Sequence, residues 1–340
     1  MIIWWILPAV TLLTLVLTDV LRRYALSKRL IDIPNARSSH SVPTPRGGGL
    51  AVVIIYLTVL PVLFFIGLVT FSSMLALFVT GAVIAIIGFV DDHGHIAARW
   101  RLLGHIVAAV WAVFWLGGLP PIAIAGFTVS SGFITSCIAV FYLVWMLNLY
   151  NFMDGIDGLA SLEAVTVCVG GAVIYWCLDE LSYVYLPLTL AGAVAGFLFW
   201  NFPPAKIFMG DAGSGFLGIT LGILSIQAAW VAPQLLWSWL ILLGVFIVDA
   251  TFTLLRRLLR GDKVYEAHRS HGYQYAARHY KSHLPVSLGV TAINIVWLFP
   301  LALLVALGHM SGFWAMLLAY APLVFLAVKF SAGSIEPQNS

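Results

Sequence analysis

The sequence predicts an all-α, polytopic membrane protein, and three observations carry that prediction. Of its 340 residues, 61% are hydrophobic and only 9% charged, against about 25% charged in an ordinary soluble domain. Mean hydropathy is +1.00. Apolar runs long enough to cross a bilayer as helices, about 17–25 residues each, recur along the whole chain. No stretch has the composition of a separate water-soluble unit, so positions 1–340 read as a single membrane domain.

Taken in order, the runs fall at 3–22, 48–68, 71–90, 102–118, 133–151, 159–178, 182–200, 213–231, 235–256, 286–308 and 312–330. About eleven transmembrane helices are expected from runs of this length. The sixth and seventh are parted only by 179–181, and the last two by 309–311. The first run has no basic segment before it; Arg22, Arg23, Lys28 and Arg29 follow it instead. That order reads as a retained span with its N-terminus outside, not a cleaved leader.

Charge tests the topology. With the N-terminus outside, odd-numbered helices end inside. All 17 Lys and Arg then lie at or beyond inner ends: within 22–46, at Arg99, Arg101 and Lys206, within 256–281, and at Lys329. The outer loops carry only Asp179 and Glu180. This asymmetry places cytoplasmic loops near 23–47, 91–101, 152–158, 201–212 and 257–285. Asp249 is the acid that falls well inside a span; partnership with an Arg or a backbone group accounts for it as well as catalysis does. The cysteines, Cys137, Cys168 and Cys177, form no CxxC pair and suggest neither a disulfide framework nor a zinc site.

The richest stretch is NLYNFMDGIDGL at 148–159, where Asn148, Asn151, Asp154 and Asp157 follow an apolar run at a spacing of three. On a helix these oxygens would fan across about half the surface. Ionisable groups beside hydrocarbon cost free energy and mark function by default; ordinary solvated residues at a helix end are the plainer reading. Asp91 and Asp92 are adjacent, so on a helix they point about 100° apart and cannot share one task. Alone, an aspartate pair at a membrane boundary is most often simply solvated. KIFMGDAGSG at 206–215 is a glycine-rich turn opening a helix, suited to anions at its free N–H groups, with Asp211 as a hard oxygen ligand for Mg²⁺. No Gly-Lys-Ser/Thr accompanies it, so it is not a Walker A loop. PTPRGGG at 43–49 is either a stiff helix lead-in or a phosphate loop, with His40 and Arg37 upstream. The loop 261–283 holds His268, Arg269, His271, His279 and His283 among Lys and Tyr, which suits phosphate or the membrane interface better than zinc.

In this order, PTPRGGG, the aspartate pair, NxxNxxDGxDGL and FMGDxGS followed by a basic HxxH loop resemble one family. It is the WecA/MraY superfamily of polyprenyl-phosphate N-acetylhexosamine-1-phosphate transferases, glycosyltransferase family 4. The segments IPNARSSHSVPTPRGGG and HRSH look most like the WbpL branch, which initiates O-antigen synthesis. The resemblance implies transfer of a sugar 1-phosphate from a UDP-N-acetylhexosamine to undecaprenyl phosphate at the cytoplasmic face of a bacterial inner membrane. It implies release of UMP and use of Mg²⁺, with Mn²⁺ as a substitute. Partners would be membrane lipids and a second copy in a homodimer, without nucleic acid.

Carried over motif by motif, Asp91, Asp92, Asp154 and Asp157 are the candidate catalytic acids, and Asp211 and Asn151 match the positions linked to metal. Asn148, Arg46, His40, Lys206, His268, Arg269 and His271 are candidates for holding substrate. HxxH stands where MraY has a run of three histidines, and His93 follows the aspartate pair where some members carry acids. Asp91 versus Asp92 as the base is therefore open, as is a direct route versus one through an aspartyl-phosphate. Two other classes fit the hydrophobicity. A secondary transporter would place its acids nearer the midplane, and a membrane scaffold would need no acids at all.

Overall fold

The computed structural model describes residues 3–34, 42–94, 96–130, 132–262 and 268–335. His40, one of the substrate-binding candidates, lies outside them. The chain opens with α1 (Ile3–Ser27), the short strands β1 (Ile31–Asp32) and β2 (Thr44–Pro45), then α2 (Gly49–Phe65), α3 (Phe71–Gly94) and α4 (Ala98–Leu116). A hairpin of β3 (Ile122–Ile124) and β4 (Phe127–Val129) leads to α5 (Gly132–Met153), α6 (Leu159–Cys177), α7 (Tyr185–Asn201) and α8 (Asp211–Val231). The remainder is α9 (Gln234–Leu242), α10 (Gly244–Leu259), α11 (Gly272–Tyr280), α12 (Leu284–Ile293), a π-helical stretch Asn294–Leu298, α13 (Phe299–Ala306) and α14 (Gly312–Lys329).

The all-α polytopic class is borne out. Helices suit the bilayer because each satisfies its own backbone hydrogen bonds. Eight helical segments are long and apolar enough to cross a membrane, and nine if α9 and α10 make one span; α2 is a shorter apolar helix. α4, which carries Arg99, Arg101 and His105, completes the set of apolar runs. The ninth run does not form one straight helix. It breaks at Leu243, with α9 and α10 at 75° to each other.

α8 lies at the centre, packed against α2, α3, α5 and α9. It is apolar on all sides, the signature of an enclosed helix. Its small residues let neighbouring helices approach closely, as in membrane packing generally. Asp249 is not the only acid among the spans. Glu163 of α6 is fully buried, and Asn294 donates to its Oε2 at 2.6 Å.

Candidate active site

The glycine-rich turn before α8 is fastened to the PTPRGGG segment by backbone bonds. Phe208 N–H donates to Pro45 O at 2.8 Å, Gly48 N–H to Phe208 O at 2.9 Å, and Gly49 N–H to Met209 O at 2.9 Å. These bonds bring Arg46 beside the start of α8. On the other side α3 comes close because Gly88 has no side chain: a Cβ there would lie 2.6 Å from Ala212 N. The approach lets Asp92 Oδ2 accept the Asp211 N–H at 3.1 Å, filling one of the orphan donors of a helix start. Arg46 donates to the Asp92 main-chain oxygen, and its Nη1 is 3.7 Å from Asp92 Oδ1.

The two aspartates of the DD pair separate, as their angular offset demands. Asp92 faces a cavity that Arg46, Asp154 and Asp211 also line. Asp91 turns the other way, paired with Arg101 and accepting the Ile96 N–H at 2.8 Å.

The four-oxygen fan is only half helical. α5 ends at Met153, so Asn148 and Asn151 lie on the helix while Asp154 and Asp157 lie in the turn that follows. Gly158, at φ +74°, opens α6 and gives its N–H to Asn201 Oδ1 at 3.1 Å. α11, from the histidine-rich segment, and α12, which follows it, hold this turn. Tyr273 O–H donates to Phe152 O at 2.9 Å, and Ser287 Oγ donates to Asp157 O at 2.8 Å. Gly155 admits the first contact, since a Cβ there would sit 2.1 Å from the Tyr273 hydroxyl oxygen.

A cavity of about 230 Å³ results, lined by residues from all five charged loops: Asp32 and Arg46, Asp92, Asp154 and Asp157, Asn201 and Asp211, and Gln274 and His283. A second cavity of about 410 Å³ shares Asp157, Phe208 and His283 with it and adds Arg278 and Lys281. Behind Asp211, a recess of about 30 Å³ is lined by Asp91, Arg101, Asn148 and Asn151. Asn151 Nδ2 donates to Ser214 Oγ at 3.0 Å, one turn into α8.

The remaining candidates stand outside these linings. Lys206 is exposed, with its Nζ over the rings of Phe199 and Trp200. His271 is buried, with its Nδ1 3.3 Å from Asp249 Oδ1, and its ring stacks on Phe152 and His268. The Arg269 main-chain oxygen accepts from Arg278 Nη1 at 3.2 Å. The sequence presents His283 only as one histidine of the basic loop 261–283, and it gives Gln274 and Gly88 no part in the site; the signal for Gly88 is its spacing, one helical turn before Asp92.

Burial, and then the neighbouring Asp211, Asp92 and Asp157, hold the Asp154 carboxyl well above the usual carboxylate range. Such crowding of acids is the environment a cation relieves. Among the described residues no three His, Cys, Asp or Glu side chains form a ready cage for a metal ion. Mg²⁺ does not require one, because it is commonly held by one or two carboxylates together with substrate phosphates. Asp211, which lines both the acid cavity and the recess behind it, and Asn151, which lines the recess, fit that mode.

A set of acids and basic loops gathered at one end of membrane-spanning helices is the apparatus of an enzyme that handles phosphate at a membrane surface. Residues 74–229 match the family model of glycosyl transferase family 4. The chain is 32% identical over 267 residues to a probable undecaprenyl-phosphate N-acetylglucosaminyl 1-phosphate transferase of Bacillus subtilis, covering 77% of this chain and 74% of that one. It is 33% identical over 306 residues to a decaprenyl-phosphate N-acetylglucosaminephosphotransferase of Mycolicibacterium smegmatis, covering 76% and 72%. A phospho-N-acetylmuramoyl-pentapeptide-transferase of Streptococcus thermophilus is 31% identical over 182 residues, covering 50% and 52%. The chain belongs to glycosyl transferase family 4 and is a polyprenyl-phosphate sugar-1-phosphate transferase, a multi-pass protein of the bacterial cytoplasmic membrane.

Proposed function

We propose that this enzyme transfers an N-acetylhexosamine 1-phosphate, N-acetylglucosamine 1-phosphate first among them, from a UDP-sugar to undecaprenyl phosphate and releases UMP. The observation that carries this reading is the single cavity to which all five charged loops contribute, with Arg46 among Asp92, Asp154, Asp157 and Asp211. On this reading the chain is one membrane domain, its α1 N-terminus lies outside, and the loops near 23–47, 91–101, 152–158, 201–212 and 257–285 face the cytoplasm. The product starts a lipid-linked polysaccharide. The WbpL-like segments at 33–49 and 268–271 support O-antigen of lipopolysaccharide as that polysaccharide.

Asp211 and Asn151 would hold Mg²⁺, which when bound neutralises charge on the departing nucleotide phosphate. An oxygen of the lipid phosphate attacks the sugar-bearing phosphorus, and the bond from that phosphorus to the UMP oxygen breaks. Arg46 suits a phosphate oxygen, since guanidinium groups bind phosphate through paired donors. Asp92, facing the cavity, takes any proton still on the lipid phosphate. A phosphate monoester loses its second proton near pH 6, so positioning is the larger part of that role at neutral pH.

UMP release from the purified protein, with undecaprenyl phosphate, Mg²⁺ and a panel of UDP-sugars, tests the proposal. Turnover of UDP-N-acetylglucosamine is expected. A protein that releases no UMP from any donor would falsify it.

A further inference from the structure

α12 begins immediately after His283, with Pro285 in its first turn, where a missing N–H costs nothing. The His283 Nδ1 is 3.2 Å from Asp157 Oδ1 and 3.3 Å from the main-chain nitrogen of the same residue. One ring nitrogen cannot serve both. Carrying a proton, it donates to the carboxylate; without one, it accepts the amide N–H. The other carboxylate oxygen, Oδ2, accepts the Ala205 N–H at 3.0 Å. Both side chains are mostly buried, 16% exposed for His283 and 13% for Asp157. Both also line the wall common to the two cavities.

We propose that His283 is a positioning residue of the transferase: it holds the Asp157 carboxylate in one rotamer at the wall between the two cavities, so that a substrate reaching across them meets an acid already in place. This rests on the transferase reading above. Asp157 is fixed at its main chain by Ser287 and at Oδ2 by Ala205, and His283 alone addresses Oδ1 among the contacts described. A carboxylate held on only one oxygen can rotate about its terminal bond, a soft torsion with broad wells. With the proton on Nδ1, the imidazole donates to Oδ1 and removes that freedom.

The test uses the full-length protein in detergent, assayed for UMP release with UDP-N-acetylglucosamine and undecaprenyl phosphate varied separately, alongside its thermal midpoint. His283→Ala is expected to lower kcat/KM by about 10- to 100-fold, the loss typical of removing a partner that orients a site residue. Its midpoint is expected to stay within about 2 °C of the wild type. His283→Asn, whose amide donor can occupy the place of Nδ1, restores most of the activity. Combining His283→Ala with Asp157→Asn does no more damage than Asp157→Asn alone, because the two act on one interaction. The assignment is overturned if His283→Ala is as active as the wild type, if Asn is as poor as Ala, if the double variant multiplies the losses, or if activity falls only in step with the midpoint. A wild type that releases no UMP overturns the transferase reading itself. An active wild type beside an unimpaired His283→Ala removes only the role given to His283.

Discussion

Asp249 of α10 stands 3.3 Å from the Nδ1 of His271 and accepts the two main-chain N–H groups that follow it, Gly272 and Tyr273, each at 2.9 Å. One carboxylate within the second half of a broken span therefore starts α11 and fixes the family-motif histidine at once. Of its two sequence readings, partnership with backbone groups is the one the structure displays. Through α11, Tyr273 then holds the loop that carries Asp154.

Replacing Asp249 by Ala leaves two buried donors unmatched, a cost of about 1–3 kcal/mol for each such group. The thermal midpoint of Asp249→Ala should fall, and amide hydrogen exchange at 272–273 should quicken well beyond the exchange elsewhere in α11. Asp249→Asn, which keeps one acceptor oxygen, should lie between the two. Exchange at 272–273 that is unchanged in Asp249→Ala would show that this carboxylate is not what starts the helix.

The DD pair divides its labour by direction. Asp92 Oδ2 caps Asp211 and faces the cavity, whereas Asp91 is tied to Arg101 and the Ile96 N–H. Asp92→Asn should cut kcat by about 10²- to 10⁴-fold, the range for removing a proton-handling or orienting acid, with little change in midpoint. Asp91→Asn should show the opposite balance, since it weakens an ion pair whose carboxylate is buried. Steady-state kinetics and thermal unfolding of the two variants, side by side, decide the assignment.

Gly88 sets the distance between α3 and the start of α8. A methyl group at this position would press on Ala212 N and Cα at 2.6 and 2.7 Å, and these are backbone atoms that cannot swing aside. Gly88→Ala should lower the midpoint, at an overpacking cost of about 1–3 kcal/mol. It should also reduce transfer, because the Asp92–Asp211 bond depends on that approach. Gly94→Ala, with open space around its Cβ position, is the control and should leave both unchanged.

Much of this was legible because it is local. Each apolar run marks a helix, and PTPRGGG, NxxNxxDGxDGL and FMGD each carry their chemistry within a dozen positions or so. What the sequence did not disclose depends on contacts between distant segments. His283 meets Asp157 across 126 positions and Asn294 meets Glu163 across 131, and neither distance leaves a periodic trace. The 75° bend at Leu243 is announced by no proline within 235–256, and the single Gly244 beside it is too weak a signal to fix a break. The end of α5 at Met153 was hidden for another reason. Spacing of three continues through Asp157, but Gly155 and Gly158 favour a turn over further helix.

His268 gives the protein a sensitivity to acid that can be worked out from its surroundings. Its Nδ1 lies 2.9 Å from Ser270 Oγ and receives the Ser270 N–H at 3.4 Å, an arrangement for a neutral ring that accepts there. Burial, then the neighbouring His271 and Arg257, push its pKa from 6.5 down to about 3. Between those values the unfolded chain binds a proton that the folded ring refuses, so stability falls as pH drops below the ordinary histidine value. The expected outcome is a thermal midpoint that declines from pH 7 to pH 5, by an amount bounded by one proton, about 1.4 kcal/mol per pH unit. In His268→Asn the decline should shrink, because the amide never takes that proton. A midpoint that falls equally in both proteins would place the acid sensitivity in some other group and leave His268 without a part in it.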